Sequence, residues 1–219
     1  MNHSQRTGGV AALIAAATFI FGIVMFVTVL ADYTTGDPTP SESVAFLADH
    51  QAAFQIWNVV IYILFGVALV PLTLALRDRL AVGSSLIVAV ATAFGIIWAT
   101  LVIGTGMIAN IGLGTVVDLQ ESDPAGAATV WSTLDAVQNG LGGGNEIVGG
   151  LWVLLISWAA IQTRRLPAAL NYLGAASGVA GLVTIVPAFE AIGAVFGLGL
   201  IVWFAWLGVV MLRTEAPAA

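Results

Sequence analysis

The sequence has no cysteine, no lysine and very few charged residues of any kind. Without cysteine the chain cannot form disulfides, thiolate metal sites or iron–sulfur clusters. Without lysine it has neither a Schiff-base lysine nor the lysine of a P-loop. Its two histidines, His3 and His50, lie outside the apolar runs, which argues against a haem held by paired histidines inside a membrane. The sequence therefore predicts no cofactor and no metal site.

The shortage of charge also decides the environment of the chain. Charged residues make up 8% and apolar residues 59% of the 219 residues, and the mean hydropathy is +1.01. A soluble domain has about a quarter charged residues, because polar side chains must cover its surface. The sequence is therefore expected to be solvated by a lipid bilayer. With a net charge of −6 it offers no basic patch to a nucleic acid.

Six uncharged apolar runs come close to or exceed the roughly 20 residues that a helix needs to cross a bilayer. They predict transmembrane helices at about residues 8–31, 53–76, 82–112, 145–163, 167–187 and 191–212. The first run is longer than the apolar part of a cleaved signal peptide. Residues 1–219 are thus expected to form one all-α domain of a polytopic membrane protein.

The six arginines provide a test of this topology. With six spans, all of them fall on one side of the membrane: Arg6, Arg77, Arg79, Arg164, Arg165 and Arg213. Positively charged residues near membrane spans are retained on the cytoplasmic side. The sequence therefore predicts a multi-pass protein of the plasma (inner) membrane with both termini in the cytoplasm. An odd number of spans would move Arg213 to the opposite side.

Two outer segments carry the signals of short amphipathic helices. Thr39, Pro40 and Glu42 have the spacing of a capping box with proline at the first helical position, which predicts a helix over about residues 40–52. Asp123 followed by proline predicts a second helix over about residues 124–139. The sequence leaves open whether residues 124–163 form one helix with a glycine-rich middle or two helices.

Polar residues near the outer edge of the spans are the candidates for a site. Glu146 lies 18 residues before Arg164, about 27 Å along a helix, and no cationic side chain lies at its depth. Other residues are predicted at a similar depth: Asn145, Asn58, Glu190, Trp57 and Trp98. They are either parts of one outward-facing polar cavity or ordinary residues of the membrane surface, where acids and tryptophans are common.

Glycines at four-residue spacing suggest close helix packing. The pairs are Gly140 and Gly144, Gly174 and Gly178, and Gly193 and Gly197. Small residues at this spacing let membrane helices approach closely, where no hydrophobic force drives them together. They predict packing either within the chain or against a membrane partner, including a second copy of the chain.

Three stretches resemble a known family. Residues 143–158 read GGNEIVGGLWVLLISW, residues 166–174 read LPAALNYLG, and residues 194–208 read AVFGLGLIVWFAWLG. They resemble small prokaryotic integral membrane proteins that are known only as a domain of unknown function. The resemblance implies a six-helix inner-membrane protein, and it brings no substrate, cofactor or catalytic residue.

No catalytic motif is present, and we predict no catalytic residue. The first hypothesis is a non-enzymatic membrane protein that acts through helix packing as a partner subunit or sensor. The alternative is a small proton- or cation-coupled carrier with an outward-facing polar cavity around Glu146. A water path from that cavity to the cytoplasmic side would favour the carrier, and a glycine-rich face exposed to lipid would favour the partner subunit.

Overall fold

The computed structural model describes residues 3–33, 38–81, 86–141 and 146–213, apart from the side chains of Asp32, Glu146, Pro187 and Glu190. Every regular element within these ranges is helical. The eight α-helices found there are α1 (His3–Val27), α2 (Pro40–Asp49), α3 (Gln51–Leu80), α4 (Leu86–Gln120), α5 (Pro124–Gly140), α6 (Glu146–Thr163), α7 (Ala168–Val183) and α8 (Gly193–Arg213). Two short 3₁₀ segments, Ala31–Tyr33 and Pro187–Ile192, follow α1 and precede α8.

The fold is all-α, as predicted, and is that of a polytopic membrane protein. Helices α1, α3, α4 and α8 are long and apolar enough to cross a membrane, and α6 and α7 are shorter apolar helices. Helix α3 contains one π-helical segment, Val59–Leu64. Helix α4 has 35 residues, which is about 52 Å of helix against an apolar core of about 30 Å. It is eight residues longer at its end than the predicted span, which stopped at residue 112.

The six apolar helices form a closed ring. Each packs mainly on two neighbours, in the order α1, α3, α4, α6, α7, α8 and back to α1. Two reciprocal glycine contacts join neighbours closely. A Cβ placed on Gly178 of α7 would lie 2.6 Å from the carbonyl oxygen of Gly150 in α6, and one placed on Gly208 of α8 would lie 2.9 Å from that of Gly9 in α1. Such close backbone contacts supply the packing energy that lipid does not provide.

Aromatic side chains fill the centre of this ring. Trp98, Trp152, Trp203 and Phe204 are all at most 1% exposed. The ring centroids of Trp98 and Trp152 are 5.5 Å apart, and those of Trp152 and Trp203 are 5.7 Å apart. At these separations the rings pack edge to face or tilted. The interior of the bundle therefore contains an aromatic core.

The two ends of the bundle differ. At one end, which we call the cap end, α2 and α5 pack on each other and on the projecting part of α4. Val44, Val116 and Ala127 are buried there, and Leu134 lies against Gly112. The amphipathic helices therefore cover the overhang of α4 with their apolar faces.

The start of each cap helix is built as the sequence predicted. Thr39 and Glu42 form a full capping box at the start of α2. The Asp123 carboxylate accepts a hydrogen bond of 2.9 Å from the backbone N–H of Gly126 at the start of α5. Within residues 124–163 the structure describes two helices: α5 ends at Gly140 and α6 begins at Glu146, and residues 142–145 between them lie outside the described residues.

The opposite end, which we call the arginine end, is held by a buried guanidinium. Arg79 is 3% exposed; its Nη1 donates to Gln5 Oε1 at 2.9 Å and its Nε donates to the Arg165 carbonyl at 3.1 Å. Gln5 Nε2 donates in turn to the carbonyl of Ala75. One side chain thus ties together the start of α1, the end of α3 and the connection between α6 and α7.

Candidate functional site

A cavity of about 280 Å³ lies at the cap end, between α3, α4, α5 and the end of α1. We call it the cap cavity. Its aromatic lining consists of Phe26, Tyr33, Phe54, Trp57, Tyr62 and Trp131. Its polar lining consists of Asn58, Asp135, Gln138 and Asn139. The described lining contains one carboxylate and no basic side chain.

Helix α3 contributes Trp57 and Asn58, immediately before its π-helical segment. The Trp57 indole N–H donates to the Gly22 carbonyl at 3.2 Å, and its ring stacks on Phe26 with centroids 6.0 Å apart. Asn58 is buried, and its Nδ2 donates to Asn110 Oδ1 at 3.2 Å. These contacts fix both side chains between α1 and α4. Single π-helical turns often occur at functional sites.

Helix α5 contributes the only acid of the described lining. Trp131, Asp135 and Asn139 follow each other at four-residue spacing, so that they share one helix face. Asn139 Nδ2 donates to Asp135 Oδ2 at 3.2 Å, which orients the carboxylate. Asp135 itself is exposed. The mouth of the cavity therefore carries the negative charge and its floor carries the aromatic rings.

Tyr33 couples the end of α1 to this acid. Burial of the phenol, and to a smaller extent the negative charge of Asp135, raise the pKa of Tyr33 to about 12. A hydrogen bond with Trp131 lowers this pKa, but by less. The Tyr33 hydroxyl thus stays protonated at neutral pH. Its ring meets Phe54 edge to face, with centroids 5.2 Å apart.

The structure brings some of the predicted site residues together. Trp57 and Asn58 line the cap cavity. Trp98 lies instead in the aromatic core, because it is only 12 residues from the start of α4 at Leu86, about 18 Å along the helix. Asn145 lies outside the described residues. Glu146 is the first residue of α6 and Glu190 lies in the second 3₁₀ segment, and their side chains are not described.

The predicted packing glycines differ in their surroundings. A Cβ on Gly174 would contact the Ser157 hydroxyl and lie 2.5 Å from Trp203 Nε1, and Gly178 meets Gly150 as described above. A Cβ on Gly140 or Gly197 would meet nothing within 4 Å. Gly193 begins α8 and is half-buried, and Gly144 lies outside the described residues.

The cavity chemistry favours a cation. Aromatic faces attract positive charge, and Asp135 supplies a carboxylate without a competing basic side chain in the described lining. No group of three or more His, Asp or Glu that could hold a metal ion occurs within the part of the chain that the structure describes. A volume of about 280 Å³ is at the small end of ligand sites, about 300–1,000 Å³.

The sequence profile of one family, described as a domain of unknown function (DUF4386), matches residues 7–213. The chain belongs to the DUF4386 family. No curated protein and no solved structure matches it. The DUF4386 match extends from α1 to the end of α8, so that it includes both cap helices and every described residue of the cap cavity. The description of the DUF4386 family indicates no activity.

Tyr33, Trp131 and Asp135 are among the cavity residues of this DUF4386 protein that were not predicted as site residues. For α5 the sequence does contain a signal, since Trp131, Asp135 and Asn139 repeat every four residues and form a polar and aromatic stripe. For Tyr33 there is none, because its place depends on tertiary contacts with Phe46 of α2 and Phe54 of α3.

Proposed function

We propose that this DUF4386 protein is a non-enzymatic membrane sensor that binds a small organic cation in the cap cavity, outside the cytoplasmic membrane. The observation that carries the proposal is the described lining: six aromatic side chains and one carboxylate, with no basic group. A cation over an aromatic face gains about 0.5–2 kcal/mol, more when water is excluded. The arginine end is proposed to face the cytoplasm, since basic residues stay on that side.

The aromatic core supports a sensor over a channel-like path. Below the cap cavity, the centre of the helix ring is occupied by fully buried rings such as Trp98, Trp152 and Trp203. A ligand bound at the cap end would therefore contact α1, α3 and α5, and no opening among the described residues leads from there to the arginine end. Its binding energy would favour one arrangement of these helices over another, which is how a sensor signals across a membrane.

One experiment tests the ligand class. Choline carries a quaternary ammonium, whereas 3,3-dimethylbutan-1-ol has the same shape without the charge. Purified full-length protein in nanodiscs should bind choline more tightly than the alcohol, as measured by isothermal titration calorimetry and by tryptophan fluorescence. Asp135→Asn should weaken choline binding by about tenfold, which is about 1.4 kcal/mol. A larger loss is not expected, because solvent screens this exposed carboxylate.

A matched control is available in the same cap. Asp118 lies near the end of α4, is exposed and is outside the described cavity lining. Asp118→Asn removes the same charge and should leave choline binding unchanged. Equal affinity for choline and the neutral alcohol, or equal loss in both variants, would reject a cation site at Asp135.

A carrier is the second candidate, because one observation favours it. The indole N–H groups of Trp98, Trp152 and Trp203 are buried without a hydrogen-bond partner among the described residues, and so are the hydroxyls of Thr73 and Ser157. Buried polar groups are normally partnered, and a polar substrate passing through the bundle would partner them. Uptake of labelled choline into proteoliposomes, abolished by Asp135→Asn, would establish the carrier over the sensor.

A further inference from the structure

An open groove of about 420 Å³ lies between α1 and α3, away from the cap cavity. One end of it is polar, with Arg6, His3 and Thr7 of the first turns of α1. The remainder is apolar and includes Ile14 and Pro71. The groove thus begins at the arginine end and continues along the face that two membrane-spanning helices turn toward lipid.

Small residues make the floor of the groove and large ones its walls. Ala11 and Ala68 are 4% and 5% exposed, whereas Val10 and Val67 are 45% and 56% exposed. Helices α1 and α3 approach closely behind the polar part of the groove and again beyond its apolar end. A Cβ on Gly22 would lie 2.9 Å from Ile61, and one on Gly8 would contact Ala75.

The dimensions of the groove suit one acyl chain. The groove includes His3 at its polar end, and from Arg6 to Ile14 it covers eight residues of α1, which correspond to about 12 Å. One leaflet of the apolar core is about 15 Å thick, half of about 30 Å. The groove therefore accompanies a chain through most of one leaflet, with the polar end at the depth of the headgroups.

The polar end offers a positive charge that the described protein does not neutralise. Arg6 is exposed and forms no ion pair with a described residue, and the nearby Asp78 carboxylate instead accepts a hydrogen bond of 2.8 Å from Ser4. His3 Nδ1 and Thr7 Oγ1 lie 3.4 Å apart on the same face of α1. A guanidinium recognises phosphate with two parallel hydrogen bonds, and basic pockets between membrane helices bind anionic headgroups.

From this arrangement we infer that the α1–α3 groove is a binding site for one anionic phospholipid, whose phosphate contacts Arg6 and whose acyl chain occupies the apolar part of the groove. The site does not depend on the ligand proposed for the cap cavity. It lies in the opposite half of the bundle and involves none of the same residues.

The test is lipid selectivity of the purified full-length protein. The protein is incubated in detergent with equal amounts of phosphatidylglycerol and phosphatidylethanolamine of identical acyl chains, and bound lipid is counted by native mass spectrometry. Wild type should retain phosphatidylglycerol about fivefold over phosphatidylethanolamine, the effect expected of one basic residue near an anionic lipid. Arg6→Gln should lose this preference, and Arg213→Gln, at the same end on α8 but outside the groove, should keep it.

A second pair of variants tests the acyl part. Val67→Trp fills the groove from an exposed wall and should reduce the binding of both lipids, whereas Val195→Trp, at an exposed position of α8, should not. Melting temperatures of all variants monitor folding. The inference is overturned if wild type binds both lipids equally, if Arg6→Gln keeps the preference, or if inorganic phosphate raises the melting temperature as much as phosphatidylglycerol does. Should Arg6→Gln fail to fold, the wild-type preference and the Val67→Trp pair decide.

Discussion

At the scale of single residues, the start of α2 shows how much a local pattern can determine. The Thr39 backbone N–H and its hydroxyl each donate to Glu42 Oε2 at 2.8 Å, and Thr39 Oγ1 accepts from the Glu42 backbone N–H at 3.3 Å. All these atoms lie within four residues of one another, so that no distant part of the fold is needed to bring them together. The capping box was predictable from the sequence for this reason.

This capping box should make the stability of α2 depend on pH. The hydrogen bond from the Thr39 backbone and, to a smaller extent, that from its hydroxyl hold the pKa of Glu42 below its ordinary value. A carboxyl whose pKa is lowered in the folded protein stabilises the fold at pH values above its unfolded pKa. This stability is lost as the pH falls through the pKa of the folded protein. Amide protection factors of residues 43–47 should therefore decrease from pH 6 to pH 3.

Glu42→Gln should remove that pH dependence, since the amide does not titrate, while Glu121→Gln, at an exposed position beyond α4, should retain it. Hydrogen exchange by NMR or mass spectrometry, corrected for the intrinsic rate at each pH, provides the measurement. A wild-type profile that stays flat across this range would show that the cap does not stabilise α2.

The residues of the cap cavity were predictable only in part. Trp57 and Asn58 could be placed because distance along a helix from the nearest arginine measures depth in the membrane. Tyr33 and Asp135 could not be paired in this way, since they are about a hundred positions apart in the sequence and meet only when α5 packs on the end of α4. Depth is a one-dimensional quantity, whereas a site also needs the rotation of each helix about its axis.

At the scale of helices, the same limit applies to the glycine pairs. Four-residue spacing indicates that a glycine face exists but does not say whether another helix occupies it. Gly178 faces the Gly150 carbonyl at the α6–α7 contact, whereas the Cβ position of Gly197 on α8 is open. The two glycines have the same spacing to a neighbouring glycine and belong to adjacent helices, which makes them a matched pair.

We predict opposite effects of alanine at these two positions. In Gly178→Ala the new methyl would lie 2.6 Å from a backbone oxygen, so that α6 and α7 must separate, at a cost of about 1–3 kcal/mol as for other overpacked sites. Gly197→Ala meets no neighbour and should be neutral or stabilising by up to about 1 kcal/mol, because alanine is the better helix former.

Unfolding in mixed micelles with increasing SDS measures both free energies. Equal destabilisation would mean that Gly197 is also covered, by a second copy of the chain or another membrane partner. In that case Gly197→Ala should in addition shift the oligomeric state in size-exclusion chromatography with light scattering.

At the scale of the whole molecule, the ring of six apolar helices and the distribution of arginine are two aspects of one arrangement. Contacts between distant segments, such as Arg79 with Gln5 and with the Arg165 carbonyl, gather the basic residues at one end. The cap helices lie at the other end, together with Asp118 of α4, Glu121 and Asp123 of the connection to α5, and Asp135 of α5. An even number of membrane crossings would produce this separation, whereas an odd number would place Arg213 among the acids.

This separation leads to a prediction about orientation. If basic residues stay in the cytoplasm, the cap end faces outward. The natural absence of cysteine makes the test clean, because a single introduced thiol has no background. Ser132→Cys lies at an exposed position of α5, and Ala81→Cys lies at an exposed position after α3.

In intact cells an impermeant maleimide should label Ser132→Cys and not Ala81→Cys, and both should react once the membrane is permeabilised. The substitutions change an exposed hydroxyl to a thiol and add a thiol to an exposed methyl, so that neither should disturb packing. Labelling of Ala81→Cys alone would show that the protein has the opposite orientation. The cap cavity would then face the cytoplasm, which excludes a sensor for external cations. Labelling of both in intact cells would mean that the two positions share one side, which the closed ring of antiparallel helices does not allow.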